Sequence, residues 1–150
     1  MLFKSTITLL KKNSKHLKFS LVLVLSVFVL VSCGGGSEGG EFTVIKDTKL
    51  GPINQAQAEQ GKKIFAEKCA SCHKYDIKLV GPPLGDVVKR RSTDYILSQI
   101  LYPEQMIANN DTVKALLGKY MTNMSNQHLS MLDAKAVLEH LRIVAENGGK

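Results

Sequence analysis

Small and apolar residues recur every three to four positions in four segments of the 150-residue chain, a spacing typical of helices with one buried face. The first of these segments is 55–70, which is rich in alanine and glutamine. The last begins at Ser130, where Asp133 completes a pattern similar to a capping box, and it ends at Gly148. The positions expected to face the core are Ala58, Gly61, Ile64, Phe65 and Lys68 in the first segment and Leu132, Val137, Leu138, Leu141 and Val144 in the last.

Two shorter helices are predicted between these segments. Ser92 or Thr93 can cap the first of them, and Pro103 ends it. Asp111 can cap the second, and Gly118 ends it. The pattern therefore predicts an all-α domain of about four helices.

The N-terminal apolar run differs from these helices because it is uninterrupted. Residues 19–31, FSLVLVLSVFVLV, carry no charge, and the residues before them contain five lysines and no acid. A membrane-spanning helix needs about 20 apolar residues. The shorter run therefore predicts a signal peptide, and the long basic region before it leaves a membrane anchor as the alternative.

Most of the net charge of +7 belongs to this leader. Without its five lysines, the remaining chain has 15 lysines and arginines against 13 acidic residues, a net charge of +2. Proteins that bind the phosphate backbone of nucleic acids need a stronger positive charge. The rest of the chain is therefore a poor candidate for nucleic-acid binding.

The segment LVSC, at 30–33, resembles the lipobox of bacterial lipoproteins, which ends in a cysteine. The resemblance implies that Cys33 receives a diacylglyceryl group, becomes the first residue of the mature protein and holds it on a bacterial membrane, with the domain outside the cytoplasm, on the periplasmic side. The expected organisation is a lipoprotein signal peptide at 1–32, a lipidated and flexible linker and arm at 33–54, in which FTVI pairs briefly, and a folded domain at 55–150.

The segment CASCH, at 69–73, carries the clearest chemical signal. A disulfide between Cys69 and Cys72 would close a very small loop and add little stability. Structural zinc sites usually use two such pairs, and the chain has one, without a matching histidine pair. A thioredoxin-like pair opens a helix after a strand, whereas this pair follows the predicted first helix. Covalent haem attachment remains as the interpretation.

The spacing of this motif has a chemical reason. The thiols of Cys69 and Cys72 can add to the two vinyl groups on one edge of a porphyrin, and His73 then lies beneath the iron and supplies a nitrogen ligand. One motif predicts one covalent haem c.

From Ala56 to Val144 the chain resembles the class I c-type cytochromes, whose helices surround one haem. The haem motif closes the first helix, whereas the four-helix c′ type carries it near the C-terminus. Gly61 and Phe65 resemble the small and aromatic positions at which the family's first helix crosses its last.

The segment GPPLGD, at 81–86, resembles the family's Gly-Pro-x-Leu-x-Gly loop. The resemblance implies that the Pro82 carbonyl accepts the Nδ1 hydrogen of His73, which orients the ring and makes it a stronger base. The chain departs from the family pattern at His140, where an aromatic residue is common, and at Ser125, where a proline often follows the methionine ligand.

The resemblance also implies a methionine as the sixth iron ligand, from a loop just before the last helix. Met124 fits this position because the Ser130 cap follows six residues later. Met121 is the second candidate, and Met106 and His128 fit less well.

These expectations lead to a membrane-tethered carrier of single electrons between respiratory-chain partners, which is not an enzyme. The first alternative is a fixed haem relay subunit of a reductase or oxidase complex. A haem peroxidase or gas-binding protein is the second, and it would need an open iron position. The segment 124–142 also resembles the C-terminal end of lipoprotein cytochromes that accompany nitrous oxide reductase, which makes that enzyme a candidate partner.

Overall fold

The computed structural model describes residues 42–150, and the regular structure in this range is entirely helical, as the sequence predicts. No helix in this range is both long enough and apolar enough to span a bilayer. The helices are α1 (Gln55–Ile64), which continues as a π-helical turn (Phe65–Cys69), α2 (Val87–Arg90), α3 (Thr93–Leu101), α4 (Pro103–Asn109), α5 (Asp111–Tyr120) and α6 (Met131–Glu146).

Helix α1 crosses α6 at a glycine. A β-carbon at Gly61 would lie 1.8 Å from the carbonyl oxygen of Ala136, so a larger residue could not keep this approach. Ala58 and Phe65 are buried on the same face. The predicted crossing of the first and last helices is therefore confirmed.

Side chains cap α3 and α6 as predicted. Ser92 caps α3, since its Oγ accepts a hydrogen bond from the Tyr95 amide at 3.2 Å. At the start of α6, Ser130 and Asp133 each accept from the other's backbone amide, which makes a full capping box. These caps set the residues at which α3 and α6 begin, and therefore where the loops before them end.

The bounds of α5 differ from the prediction at both ends. Asn110 is the cap instead of Asp111, and its side chain accepts from the amide three residues later. The helix runs through Gly118 to Tyr120 and ends at Met121, which has a positive φ of 55°. Asparagine is as good a cap as aspartate, and a glycine inside a helix weakens it without ending it.

Two short helices, α2 and α4, were not predicted. Proline ends α3 as expected, but Pro103 is also the first residue of α4. A proline at this position is favourable, because its fixed φ suits a helix and the first turn needs no amide donor. Helix α2 has four residues and too little periodicity to detect.

The core is formed by α1, α3 and α6, with contributions from α4 and α5. Lys68 and Leu132 were wrongly predicted to face the core. Lys68 is exposed, and Leu132, in the first turn of α6, is 72% exposed. The buried apolar cluster consists of Phe65, Val87, Tyr95, Ile96, Leu97, Ile100, Leu101, Met106, Val113, Ala134, Val137, Leu138 and Leu141.

Residues 42–54 form an extended arm that hydrogen bonds hold against the helices. The Ile45 amide donates to the buried Ser98 hydroxyl at 2.8 Å, and the Phe42 carbonyl accepts from the buried Asn110 side chain at 2.6 Å. At its other end the Asn54 amide donates to Glu139 at 3.1 Å. No strand forms in FTVI, at 42–45, which corrects the predicted brief pairing.

Candidate functional site

The CASCH segment forms a tight turn directly after the π-helical turn. The amides of Cys72 and His73 both donate to the Cys69 carbonyl, at 3.0 and 2.9 Å. The side chains of all three residues line one cavity. The two cysteines and the histidine of the motif are therefore together at one site.

The ring of His73 is held by the loop that contains Gly81. Its Nδ1 lies 2.9 Å from the Pro82 carbonyl oxygen, the partner that the family resemblance implied. Since a carbonyl can only accept, Nδ1 carries the hydrogen and Nε2 keeps its lone pair. Burial lowers the pKa of His73 below its ordinary 6.5, and the hydrogen bond to Pro82 partly opposes this shift. At neutral pH the ring is thus an uncharged nitrogen donor.

Three backbone hydrogen bonds join this loop to the CASCH segment and the two residues that follow it. The Gly81 amide donates to the Cys72 carbonyl at 2.9 Å, the Leu84 amide to Lys74 at 2.9 Å and the Gly85 amide to Tyr75 at 2.8 Å. The loop and the motif therefore form one unit, and the orientation of the imidazole depends on the loop.

The cavity beside this unit has a volume of about 420 Å³. Binding cavities for organic ligands have volumes of about 300–1,000 Å³. Most of the wall is apolar, and the loop 122–127 closes one side. The residues that α3, α5 and α6 contribute to the lining are Tyr95, Ile96, Gln99, Ile100, Val113, Leu116, Leu117, Tyr120, Val137 and Leu141.

The candidates for the sixth ligand occupy different positions. Met124 is half-buried and lines the same cavity as His73. Met121 is 84% exposed, Met106 is fully buried in the core, and His128 is exposed on the loop before α6. Of these four side chains, Met124 alone lies among the residues that line the cavity.

Comparison with known proteins agrees with this geometry. The family described as Cytochrome c matches residues 58–145. The chain belongs to the cytochrome c family. Cytochrome c from Rhodothermus marinus is 42% identical, with a TM-score of 0.67 over 69% of this chain and 90% of that one. An engineered form of that cytochrome, bound to a carbene intermediate, is 41% identical, with a TM-score of 0.64 over the same shares.

Membership confirms the fold class and the cofactor: this cytochrome is an all-α electron-transfer protein with one covalent haem c. The site fits the group, because two thiols and an imidazole with a free Nε2 line an apolar cavity of suitable volume. Within residues 42–150 there is no cluster of three or more His, Cys, Asp and Glu side chains that could hold a metal ion by themselves.

The cysteines of this cytochrome do not resemble a redox dithiol. Burial, with a smaller effect from the neighbouring Cys72, raises the pKa of the Cys69 thiol from 9.0 to about 11. A thiol in a catalytic dithiol needs a lowered pKa to form the attacking thiolate. The environment of Cys69 therefore disfavours the thioredoxin-like interpretation.

His140, one of the two departures from the family pattern, belongs to an aromatic cluster. Its Nε2 lies 2.8 Å from the Tyr75 hydroxyl, and the ring of Phe65 stacks on Tyr75 with centroids 4.9 Å apart. Its imidazole is 7% exposed. The histidine packs the end of α6 against the segment that follows the haem motif and is not itself among the residues that line the cavity.

The basic run Lys89-Arg90-Arg91 is largely engaged within the protein. Arg90 pairs with Asp86 at 2.7 Å and donates to the Pro83 carbonyl at 2.9 Å, while the Arg91 guanidinium lies over the Tyr95 ring. These contacts favour a structural role over a partner-docking role.

Sequence reasoning missed one residue of the site. Gln99, on α3, has its Nε2 3.5 Å from the Met124 sulfur. A polar residue at helical spacing within an apolar stripe was the available signal. The leader 1–32 and Cys33 lie outside the described residues.

Proposed function

We propose that this cytochrome is a membrane-tethered carrier that passes single electrons between respiratory-chain partners. The observation that supports this most strongly is that Cys69, Cys72, His73 and Met124 line one cavity. A haem c supplies reversible one-electron exchange at its iron. The remaining task of the chain is to hold that group, fill its axial positions and keep its surroundings fixed.

Cys69 and Cys72 would hold the haem through thioether bonds to its two vinyl groups. Cys69 is half-buried and Cys72 is exposed, so the edge that they hold would reach the protein surface. An exposed edge lets a partner approach closely without a channel. The thioether bonds would also prevent loss of the haem outside the cytoplasm.

His73 would be the proximal ligand through Nε2. The hydrogen bond from Nδ1 to Pro82 fixes the tautomer and leaves the Nε2 lone pair available on a ring that lines the cavity. The backbone hydrogen bond that joins Gly81 to Cys72 would help to keep the ring in place in both oxidation states. A ligand that moves little on electron transfer keeps the reorganisation small.

Met124 would be the sixth ligand, with Met121 as the second candidate. The half-buried position of Met124 in the cavity wall and the exposure of Met121 support this order. A histidine and a methionine together raise the reduction potential and leave no position for a substrate. This pair supports a carrier over a peroxidase or a gas-binding protein.

The tether would be a lipid on Cys33, with the domain on the periplasmic side of a bacterial membrane. The lipobox-like LVSC segment supports this, and the leader 1–32 would be removed. Confinement to the membrane surface raises the local concentration of membrane-bound partners. Nitrous oxide reductase is one candidate partner, on the resemblance of the segment 124–142.

A matched pair of variants tests the axial ligation. Met124→Ala should abolish the far-red sulfur-to-iron charge-transfer band of the oxidised protein and lower its reduction potential, whereas Met121→Ala should leave both nearly unchanged. The opposite result would assign the ligand to Met121. Absence of the band from the wild type would exclude a methionine ligand.

Mass spectrometry of the membrane-extracted protein tests the tether. The mature chain should begin at Cys33 and carry added acyl mass. A chain that begins elsewhere, or an uncut leader, would contradict lipidation. Purification of the tethered protein from its native membrane distinguishes the carrier from the relay subunit, since a relay should remain bound to a reductase or oxidase.

A further inference from the structure

Gln99 lies on the wall of the cavity beside Met124. Its side-chain Nε2 is 3.5 Å from the Met124 Sδ, within the range of a hydrogen bond to sulfur. A thioether sulfur can only accept, so the amide nitrogen has to face it. This contact joins a helix of the core to the loop that carries the proposed ligand.

The same orientation leaves the other end of the amide without a partner. Among the residues that the structure describes, Gln99 Oε1 is a buried side-chain atom with no hydrogen bond. A buried polar atom without a partner is unfavourable, and an apolar side chain of similar size would avoid that loss. Packing alone therefore does not account for a glutamine here.

The position of Gln99 is fixed by its neighbours on α3. Ser98 accepts a hydrogen bond from the arm at Ile45, and Ile100 is buried. The helix is capped at Ser92. The backbone of Gln99 is consequently held in place, and the side chain, which is half-buried, has its amide nitrogen beside the sulfur.

From this contact we infer that Gln99 is a positioning residue that raises the reduction potential through Met124. The inference rests on the proposed ligation by Met124. A sulfur that binds iron with one lone pair can accept a hydrogen with the other. The donated hydrogen withdraws electron density from sulfur, so the sulfur stabilises ferric iron less and the reduction potential rises. The positive end of the amide dipole also disfavours the additional positive charge of ferric iron, which raises the potential further. The apolar wall strengthens both effects.

The test compares three variants of the haem-loaded protein with the wild type. Gln99→Leu removes the donor and keeps the volume, and Gln99→Glu puts an acceptor in its place. Gln60→Leu is the matched control, because Gln60 is an exposed glutamine of α1 that does not line the cavity. The readouts are the reduction potential, the charge-transfer band and the urea midpoint of unfolding.

Gln99→Leu should lower the reduction potential because it removes the hydrogen-bond donor. It should also raise the urea midpoint because it removes the unpaired buried oxygen. At a fixed applied potential the ratio of oxidised to reduced protein should rise by up to about tenfold, equivalent to about 59 mV for one electron. Gln99→Glu should lower the potential further. Gln60→Leu should match the wild type.

Each remaining outcome has a defined meaning. Loss of the band in Gln99→Leu, with the band kept in Gln60→Leu, also supports the inference, because Gln99 would then hold Met124 in place. Equal potentials in the wild type and Gln99→Leu, with the band intact in both, would overturn it and leave Met124 ligation standing. A wild type without the band would overturn the ligation and the role of Gln99 together.

Discussion

At the scale of single residues, the imidazole of His73 packs so closely against Gly81 that there is no room for a side chain at Gly81. A β-carbon at Gly81 would lie 2.4 Å from Cε1 and 2.8 Å from Nδ1 of His73. The absence of a side chain at Gly81 thus lets the loop lie flat against the ring and present the Pro82 carbonyl to it. The orientation of the His73 imidazole is set by the loop as much as by the CASCH segment.

Replacing Gly81 with alanine should displace His73. We expect a loss of about 1–3 kcal/mol in the free energy of unfolding, as for other overpacked sites, and a changed reduction potential. Gly51→Ala is the matched control, because a β-carbon there has no neighbour within 4 Å. Urea unfolding and redox titration of both haem-loaded variants measure the effect, and equal results for the two would refute the proposed steric role.

His140 should make stability depend on pH. Burial is the main cause that lowers the pKa of His140 below 6.5, and Lys62 lowers it further, while Glu59 opposes this shift. The unfolded chain therefore binds a proton at this histidine more readily than the folded protein does. The contribution of uncharged His140 to stability is complete above pH 6.5 and declines as the pH falls through the lower folded-state pKa.

His140→Phe keeps the ring and removes the proton site. We expect the wild type to lose more stability than this variant between pH 7.5 and pH 5, with urea unfolding as the measurement. Tyr75→Phe, which removes the hydroxyl partner and keeps the titrating ring, is the companion variant. An identical pH response in wild type and His140→Phe would exclude His140 as the source.

At the scale of the elements, the close crossing of α1 and α6 positions the haem motif. The crossing occurs at Gly61, and the π-helical turn that leads to Cys69 begins four residues later. Such π-turns insert an extra residue and are frequent at functional sites. A change in the distance between α1 and α6 at this crossing should therefore shift the positions of the cysteines.

The two helical glycines of the described domain should respond oppositely to alanine. Gly61→Ala would bring a β-carbon within 1.8 Å of backbone, so α1 and α6 must separate, at a cost of several kcal/mol. Gly118→Ala has open space and should stabilise α5 by up to about 1 kcal/mol, the difference in helix propensity. Thermal unfolding of both variants checks the pair, and a neutral Gly61→Ala would contradict the close crossing.

How much could be predicted from sequence differed between elements for physical reasons. Long helices with polar caps were predictable, since Ser130 and the apolar spacing carry local signals. Helix α4 was missed because Pro103 ends one helix and starts another, and the sequence signals only the first. The cysteines and His73 follow from a local motif. The contact of Gln99 with Met124 joins residues 25 positions apart, which depends on tertiary packing.

At the scale of the whole molecule, the cavity is large for so small a domain. If a volume of about 420 Å³ were left dry, it would cost on the order of 10 kcal/mol at about 24 cal/mol per Å³. Small proteins have total stabilities of about 5–15 kcal/mol. A haem that fills this volume would complete the core, so we expect folding and cofactor attachment to be coupled.

Removal of both attachment points should abolish the folded protein. We expect Cys69→Ser/Cys72→Ser to show no cooperative thermal transition and weak helical circular dichroism, whereas Cys33→Ser should retain both the haem and the fold. A stable, cooperatively unfolding double variant without haem would disprove the coupling.

The central claim is that both axial positions of the iron are filled by the protein, so that the chain carries electrons and binds no substrate at the metal. Carbon monoxide tests this most directly, since it binds ferrous haem only at an open or easily opened position. Added to the reduced wild-type protein at neutral pH, it should leave the absorption spectrum unchanged, and Met124→Ala should bind it at once. Formation of a carbon monoxide complex by the wild type at a similar rate would contradict the account.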